Sequence, residues 1–148
     1  MSITASGVYG LSLEKALIDT LGESWEAEDN KVLLVSDSET PDFTADDFRN
    51  DVTANEVTGT NWSAGGVALT GTEITLSSGV LTFDATDVSV ASTTITSAMA
   101  SVLYTNVGAD TTDQLVMLHD FVTAVSTSNG TFAIAWNASG LMTLDFTP

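Results

Sequence analysis

The chain has 148 residues but no cysteine, one histidine, two prolines and only three firmly cationic side chains, Lys15, Lys31 and Arg49. Without cysteine, neither disulfides nor thiolate metal ligands are possible. Three cations against 20 carboxylates leave a net charge of −17. A protein that tracks a nucleic-acid backbone displaces several counterions, so nucleic acid is excluded as a partner, and anionic membranes with it. No apolar run approaches the roughly 18 residues needed to cross a bilayer. Met1-Ser2-Ile3-Thr4 places no basic region before an apolar core, so no secretory signal is expected. The plainest use of the acidity is a solvated, self-repelling surface. Mimicry of DNA towards a basic protein is the sharper reading, and it rests on acidity alone. The single histidine limits catalysis too. His119 and Asp120 are neighbours, and in a strand they point to opposite faces, which does not make a base held by its orienting acid. There is no G-x-S-x-G elbow. His119 reads as structural, and the expectation is a protein that is not an enzyme, with no cofactor.

What is present is β-like. A hydrophobic fraction of 43% argues for a packed core despite the charge, and the length suits one domain. The stretch from Glu56 to Asp87 is taken as the organising one. Ile74 and Leu76 alternate with Thr75, Ser77-Ser78-Gly79 turns the chain, and Val80, Leu81 and Phe83 return before Asp84. That is a hairpin with a three-residue turn. Upstream, residues 1–10 read as an arm, and 11–148 as a single β-rich domain. Ser12 is expected to cap a helix over 13–21 that stops at Gly22, with Leu13, Leu17 and Leu21 on one face. Lys31 to Ser36 is a continuous apolar run, a strand buried on both faces. Pro41 forces Thr40 extended, and Thr44 to Arg49 fits one helical turn capped by Thr44. Ser101 to Tyr104 and Leu115 to Leu118 are solidly apolar strands. Asn129-Gly130 signals a turn, after which Phe132, Ile134 and Trp136 share a face, as do Met142, Leu144 and Phe146. Short strands about ten residues apart predict a mainly β fold, an antiparallel sandwich or barrel-like domain with one short N-terminal helix.

Candidate contact residues come from segments with no evident core role. These are Ile3, Val8 and Tyr9 of the arm, and Trp62, Gly65 and Gly66 of the paired-glycine loop. Asp42, Asp46, Asp47 and Asp51 gather oxygen ligands that suit calcium, but their spacing departs from the D-x-[DN]-x-[DN]-G loop, and a solvated acidic loop is the default. Asp84 and Asp87 pose the same question more faintly. Trp25, Trp62 and Trp136 could stack on sugar rings. Trp136 is assigned to the core and Trp62 to the surface, where an indole serves equally as an interface anchor. Carboxylate pairs for glycoside hydrolysis have no spacing that singles one out.

Along most of its length the chain resembles a family of small tailed-bacteriophage virion proteins. The likeness lies in Pro41-Asp42-Phe43, Asn55-Glu56-Val57-Thr58-Gly59-Thr60, Ala64-Gly65-Gly66 and Leu69-Thr70. It continues through Leu81-Thr82-Phe83-Asp84-Ala85, Asp87-Val88, Thr94-Ile95-Thr96, Val102-Leu103-Tyr104, Asp120-Phe121 and Gly130 to Gly140. The resemblance implies a virion component, made in the bacterial host cytoplasm and carried on the capsid surface. It implies a decoration or minor capsid protein that binds the major capsid protein of the same phage, as a homo-oligomer with a trimer favoured. A minor tail or tail-tip protein is the close alternative, and a calcium- or glycan-binding module the one of a different class. Two positions depart from the pattern: Val122 stands where the family more often has glycine, and His119 where an aromatic or small residue is common. No catalytic residue is carried over.

Overall fold

A computed structural model describes residues 3–20 and 22–147. Met1, Ser2, Leu21 and Pro148, which the arm, helix and domain expectations include, lie outside the described residues. The elements are β1 (Gly7–Val8), α1 (Gly10–Leu17), β2 (Lys31–Val35), β3 (Glu56–Val57), β4 (Val67–Ala68), β5 (Glu73–Ser77), β6 (Val80–Asp84), β7 (Val88–Tyr104), β8 (Leu115–Ile134) and β9 (Met142–Asp145). Every strand pairing among the described residues is antiparallel. The larger sheet runs β1-β8-β7-β2-β3, with β4 also paired to β2, and the smaller runs β5-β6-β9. The mainly β, antiparallel, sandwich-like class with one short helix is as the sequence predicts.

Around β2 the larger sheet is buried on both faces, which is why the sequence of β2 is solidly apolar. Val32, Leu33, Leu34 and Val35 are all fully buried. Val32 and Leu34 join Trp25, Trp62, Phe83 and Phe132 on one face. Leu33 and Val35 join Tyr9, Val52, Val102 and Leu118 on the other. Each such aliphatic side chain contributes about 1.5–3 kcal/mol by leaving water.

The centre of the fold is the β7–β8 pair, not the stretch from Glu56 to Asp87, which supplies two short edge strands and the β5–β6 hairpin. That hairpin forms, but its turn is two residues long. Ser77 pairs with Val80, and Ser78 and Gly79 both have positive φ (52° and 81°), the primed-turn geometry that matches strand twist. Asn129-Gly130 does not turn the chain. It is a bulge inside β8, where Asn129 has φ 49° and Gly130 faces Thr93. The Thr93 hydroxyl donates to the Gly130 carbonyl at 3.0 Å, and the Thr127 hydroxyl accepts from the Ile95 N–H at 3.1 Å. An asparagine in the left-handed region serves a bulge as readily as a turn.

A larger bulge lies further back. Ala98 pairs with Val125 and Ala100 with Asp120, so two steps along β7 span five along β8. Phe121 to Ala124 carry the excess. Val122, a β-branched residue, sits at φ 65° with its side chain 79% exposed.

The helix begins and ends earlier than the sequence signals. Tyr9 is its N-cap and provides no side-chain bond. Ser12 is instead a buried residue within the helix, whose hydroxyl accepts the Trp25 indole N–H at 3.3 Å. Asp19 takes φ 56° and Thr20 N–H closes on the Lys15 carbonyl at 2.9 Å, a left-handed stop placed before Gly22. Leu13 and Ala16 pack on the core, whereas Leu17 is 78% exposed.

Candidate functional site

The segments singled out as free contacts are largely structural. Ile3 and Tyr9 are buried. Val8 is half-buried in β1, opposite Met117, and Tyr9 N–H continues the ladder to the Val116 carbonyl at 3.0 Å. The arm is therefore an edge strand with its anchors, and an anchored strand cannot be removed without exposing the core. Trp62 is fully buried, edge-on to Phe132 with ring centroids 5.3 Å apart. The tight turn from Gly59 to Trp62 and the bridge from Thr60 to Thr94 drive the indole inward. Gly65 and Gly66 both have positive φ, and a Cβ on Gly66 would overlap the Val32 carbonyl. Their loop seats against β2, and no flexible contact is left there.

The same loop closes a polar knot. Gly65 N–H donates to Glu56 at 2.6 Å, and the buried Tyr104 hydroxyl donates to the Gly65 carbonyl at 2.6 Å. Burial pushes the Tyr104 phenol up to about 12. Arg49 lies over the Tyr104 ring and pairs through Nε with Asp113 at 2.9 Å. The Asp113 carboxylate, buried, also accepts from the N–H groups of Val107 and Gly108. This knot clamps the loop between β7 and β8.

The acidic cluster is dispersed by its own backbone. Asp42 accepts from Thr44 N–H and hydroxyl and from Ala45 N–H, capping a turn at 43–45. The helical turn expected over Thr44 to Arg49 with Thr44 as its cap does not form, because Phe48 is drawn into a bridge with Gln114. The bonds from Thr44 and Ala45 hold the Asp42 carboxyl below the usual range. Asp46 accepts from Asp42 N–H, Asp47 pairs with Lys15 at 3.0 Å, and Asp51 accepts from the N–H groups of Asp47 and Phe48. Among the described residues no three His, Cys, Asp or Glu side chains gather as a metal site.

Two grooves remain. The first, about 700 Å³, lies between β1, β8 and the segment following it, with His119, Phe121 and Trp136 on its wall. Trp62, expected at the surface, is in the core, whereas Trp136, assigned to the core, packs against it but is half-buried at the groove, its indole N–H donating to the Thr86 carbonyl at 3.0 Å. His119 lies 5.1 Å from Trp136, ring to ring. Its buried Nδ1 has no hydrogen-bond partner among the described residues, and burial holds its pKa below the ordinary value. Asp120, which caps Val122 N–H at 2.7 Å, does not orient it.

The second groove, about 450 Å³, separates α1 and Trp25 from the smaller sheet. It was not singled out from the sequence. Register aligns Ile74, Phe83 and Met142 in one row and Leu76, Leu81 and Leu144 in the next. The opposite face presents Thr75, Thr82 and Thr143. Leu17 lines this groove, and Leu76 stands in its floor row 67% exposed. The alternation within each strand was a usable signal, but the pairing of β6 with β9 was not. No family model matches the chain, and neither a curated protein nor a solved structure is significantly similar to it.

Proposed function

We propose that this protein is a structural component of a tailed-bacteriophage virion, a decoration protein that binds the outer surface of the assembled head as a homo-oligomer, with a trimer favoured. The reading starts from the ordered resemblance along the chain. The single observation that supports it is at Val122, where the resembling proteins more often carry glycine. The backbone there has φ 65°, a conformation that glycine adopts freely and valine resists. A left-handed backbone at this position is what a preference for glycine there would serve, and that agreement supports the reading. Function then needs no bond chemistry. A protein that binds the assembled lattice and not its separated subunits stabilises the lattice by mass action, about 2.7 kcal/mol per site at a free concentration 100 times Kd. Closed oligomers match the local symmetry axes of a shell.

The test is the number of copies per purified virion, measured against the major capsid protein. Hundreds of copies, in simple ratio to the shell subunit, are expected. A few to a few tens would move the protein to a vertex or the tail, and none would end the virion reading. A second reading, a glycan-binding module, is favoured by the half-buried Trp136 on the wall of the larger groove. A glycan array probes it directly.

A further inference from the structure

We propose that the groove between α1 and the smaller sheet docks a short apolar segment of a partner protein that carries lysine or arginine at its flanks. The floor is apolar: Leu81, Phe83 and Leu144 from the sheet, with Trp25 and Leu17 on the opposite wall. The apolar row extends past the groove to Leu76, which pairs with the floor residue Leu81 and is more than half exposed, as is Leu17 on the opposite wall. Large side chains left open beside an apolar floor form a contact surface.

Charge selects the occupant. Asp19 and Glu23 line the groove, and none of its lining residues is cationic. Of the three cations in the chain, Lys15 is paired to Asp47 and Arg49 to Asp113. A second copy would bring a further net charge of −17 and little to meet those carboxylates. A partner with an apolar run between basic residues covers the leucines and neutralises the rim, a pairing that fixes both affinity and partner choice. The inference rests on the virion reading only in naming the shell subunit as the source of that segment.

The test titrates the full chain calorimetrically with two synthetic helical peptides. Both present a leucine face, one with lysine flanks and the other with glutamate flanks. The lysine peptide is expected to bind at least about tenfold tighter at low salt, the gap closing near about 0.5 M salt. Leu17→Lys and Glu23→Lys should each weaken the lysine peptide at unchanged melting temperature, since both positions lie at the groove rim and not in the core. Equal binding of the two peptides, or none, overturns the proposal. Concentration-dependent self-association abolished by Leu17→Lys also overturns it, by making a second copy the occupant. The copy-number measurement is independent of the peptides, so failure of the groove and failure of the virion reading are told apart.

Discussion

The two sheets of this molecule use the same antiparallel pairing to opposite ends. In the larger sheet, β2 is covered on both faces and its four valines and leucines are fully buried. In the smaller sheet one face is a threonine row, and the other leaves Leu76, in the row of Leu81 and Leu144, 67% exposed. Alternation is the same in both; what differs is the covering layer. Residues 3–9 and 41–52 close one side of the large sheet through Ile3, Tyr9, Phe43 and Val52. The short helix leaves part of the small one open. The large sheet therefore carries stability, and the small sheet has surface to spare for contact.

That division is broken most forcefully at the polar knot on the large sheet. Asp113→Ala leaves the Arg49 guanidinium and the Val107 and Gly108 N–H groups without their acceptor. A buried pair broken from one side costs about 3–5 kcal/mol, and urea unfolding should show a loss of that size. Next comes a paired test of the sheets themselves. Leu33→Ala on β2 should cost about 2–5 kcal/mol. Leu76→Ala on β5 should stay within about 0.5 kcal/mol. Equal losses would erase the contrast. Removing residues 2–9 belongs with the larger losses, because Ile3 and Tyr9 leave the core with them, and a depressed melting temperature is the expected result.

Much of this contrast was legible in the residues, and the rest was hidden for physical reasons. The run from Val32 to Val35 and the alternation of Phe132, Ile134 and Trp136 correctly assign faces. A period of two says which face a side chain takes, not how far the layer over that face extends, so Trp136 points with Ile134 yet ends at an open groove. Trp62 looked exposed because its neighbours are loop residues. It is buried because Thr60 bridges to Thr94, a contact far away in sequence. The left-handed stop at Asp19 and the bulges at Ser92, Ser97 and Asn129 use residues that also mark strand ends. Local signals could not distinguish one long irregular strand from several short ones. The apolar groove needs the β6–β9 register, which no local pattern encodes.

A smaller effect separates ordered strain from mere exposure within β8. At Val122 the left-handed backbone costs a β-branched residue about 1–2 kcal/mol, and glycine returns about 0.5–1 kcal/mol of that through its larger unfolded entropy. Val122→Gly should therefore stabilise by roughly 0.5–1 kcal/mol, seen as a higher urea midpoint at unchanged slope. Val125→Gly on the same exposed stretch, with no positive φ to relieve, should destabilise. If both variants lose stability, the bulge is not strained and its backbone does not call for glycine.

The smallest effect is a pH dependence that opposes the usual acid sensitivity. Glu39, Asp46 and Glu56 lie in segments that cover or edge the large sheet, and burial raises each carboxyl above its ordinary value. A raised carboxyl binds more protons folded than unfolded, so its contribution to stability is complete below the unfolded value, near 4.5 for Glu and 3.8 for Asp, and is lost as pH rises through the folded one. Protonation also relieves part of the net charge of −17. His119 acts the other way. Its folded pKa is depressed below 6.5, so its contribution is present above that value and lost as pH falls. Three carboxyls and the global repulsion act in one direction against one imidazole in the other, and the expected outcome is a melting temperature that rises as pH is lowered from neutral towards the unfolded carboxyl range. Asp145 on the small sheet and Asp42, both held low by hydrogen bonds to threonine, turn the trend only at lower pH. Glu39→Gln can keep an acceptor for the Asn55 side chain, bonded at 2.9 Å, while removing the buried charge. It should raise the melting temperature at neutral pH and flatten the acid gain; an unaltered slope would remove the large sheet's cover as its source.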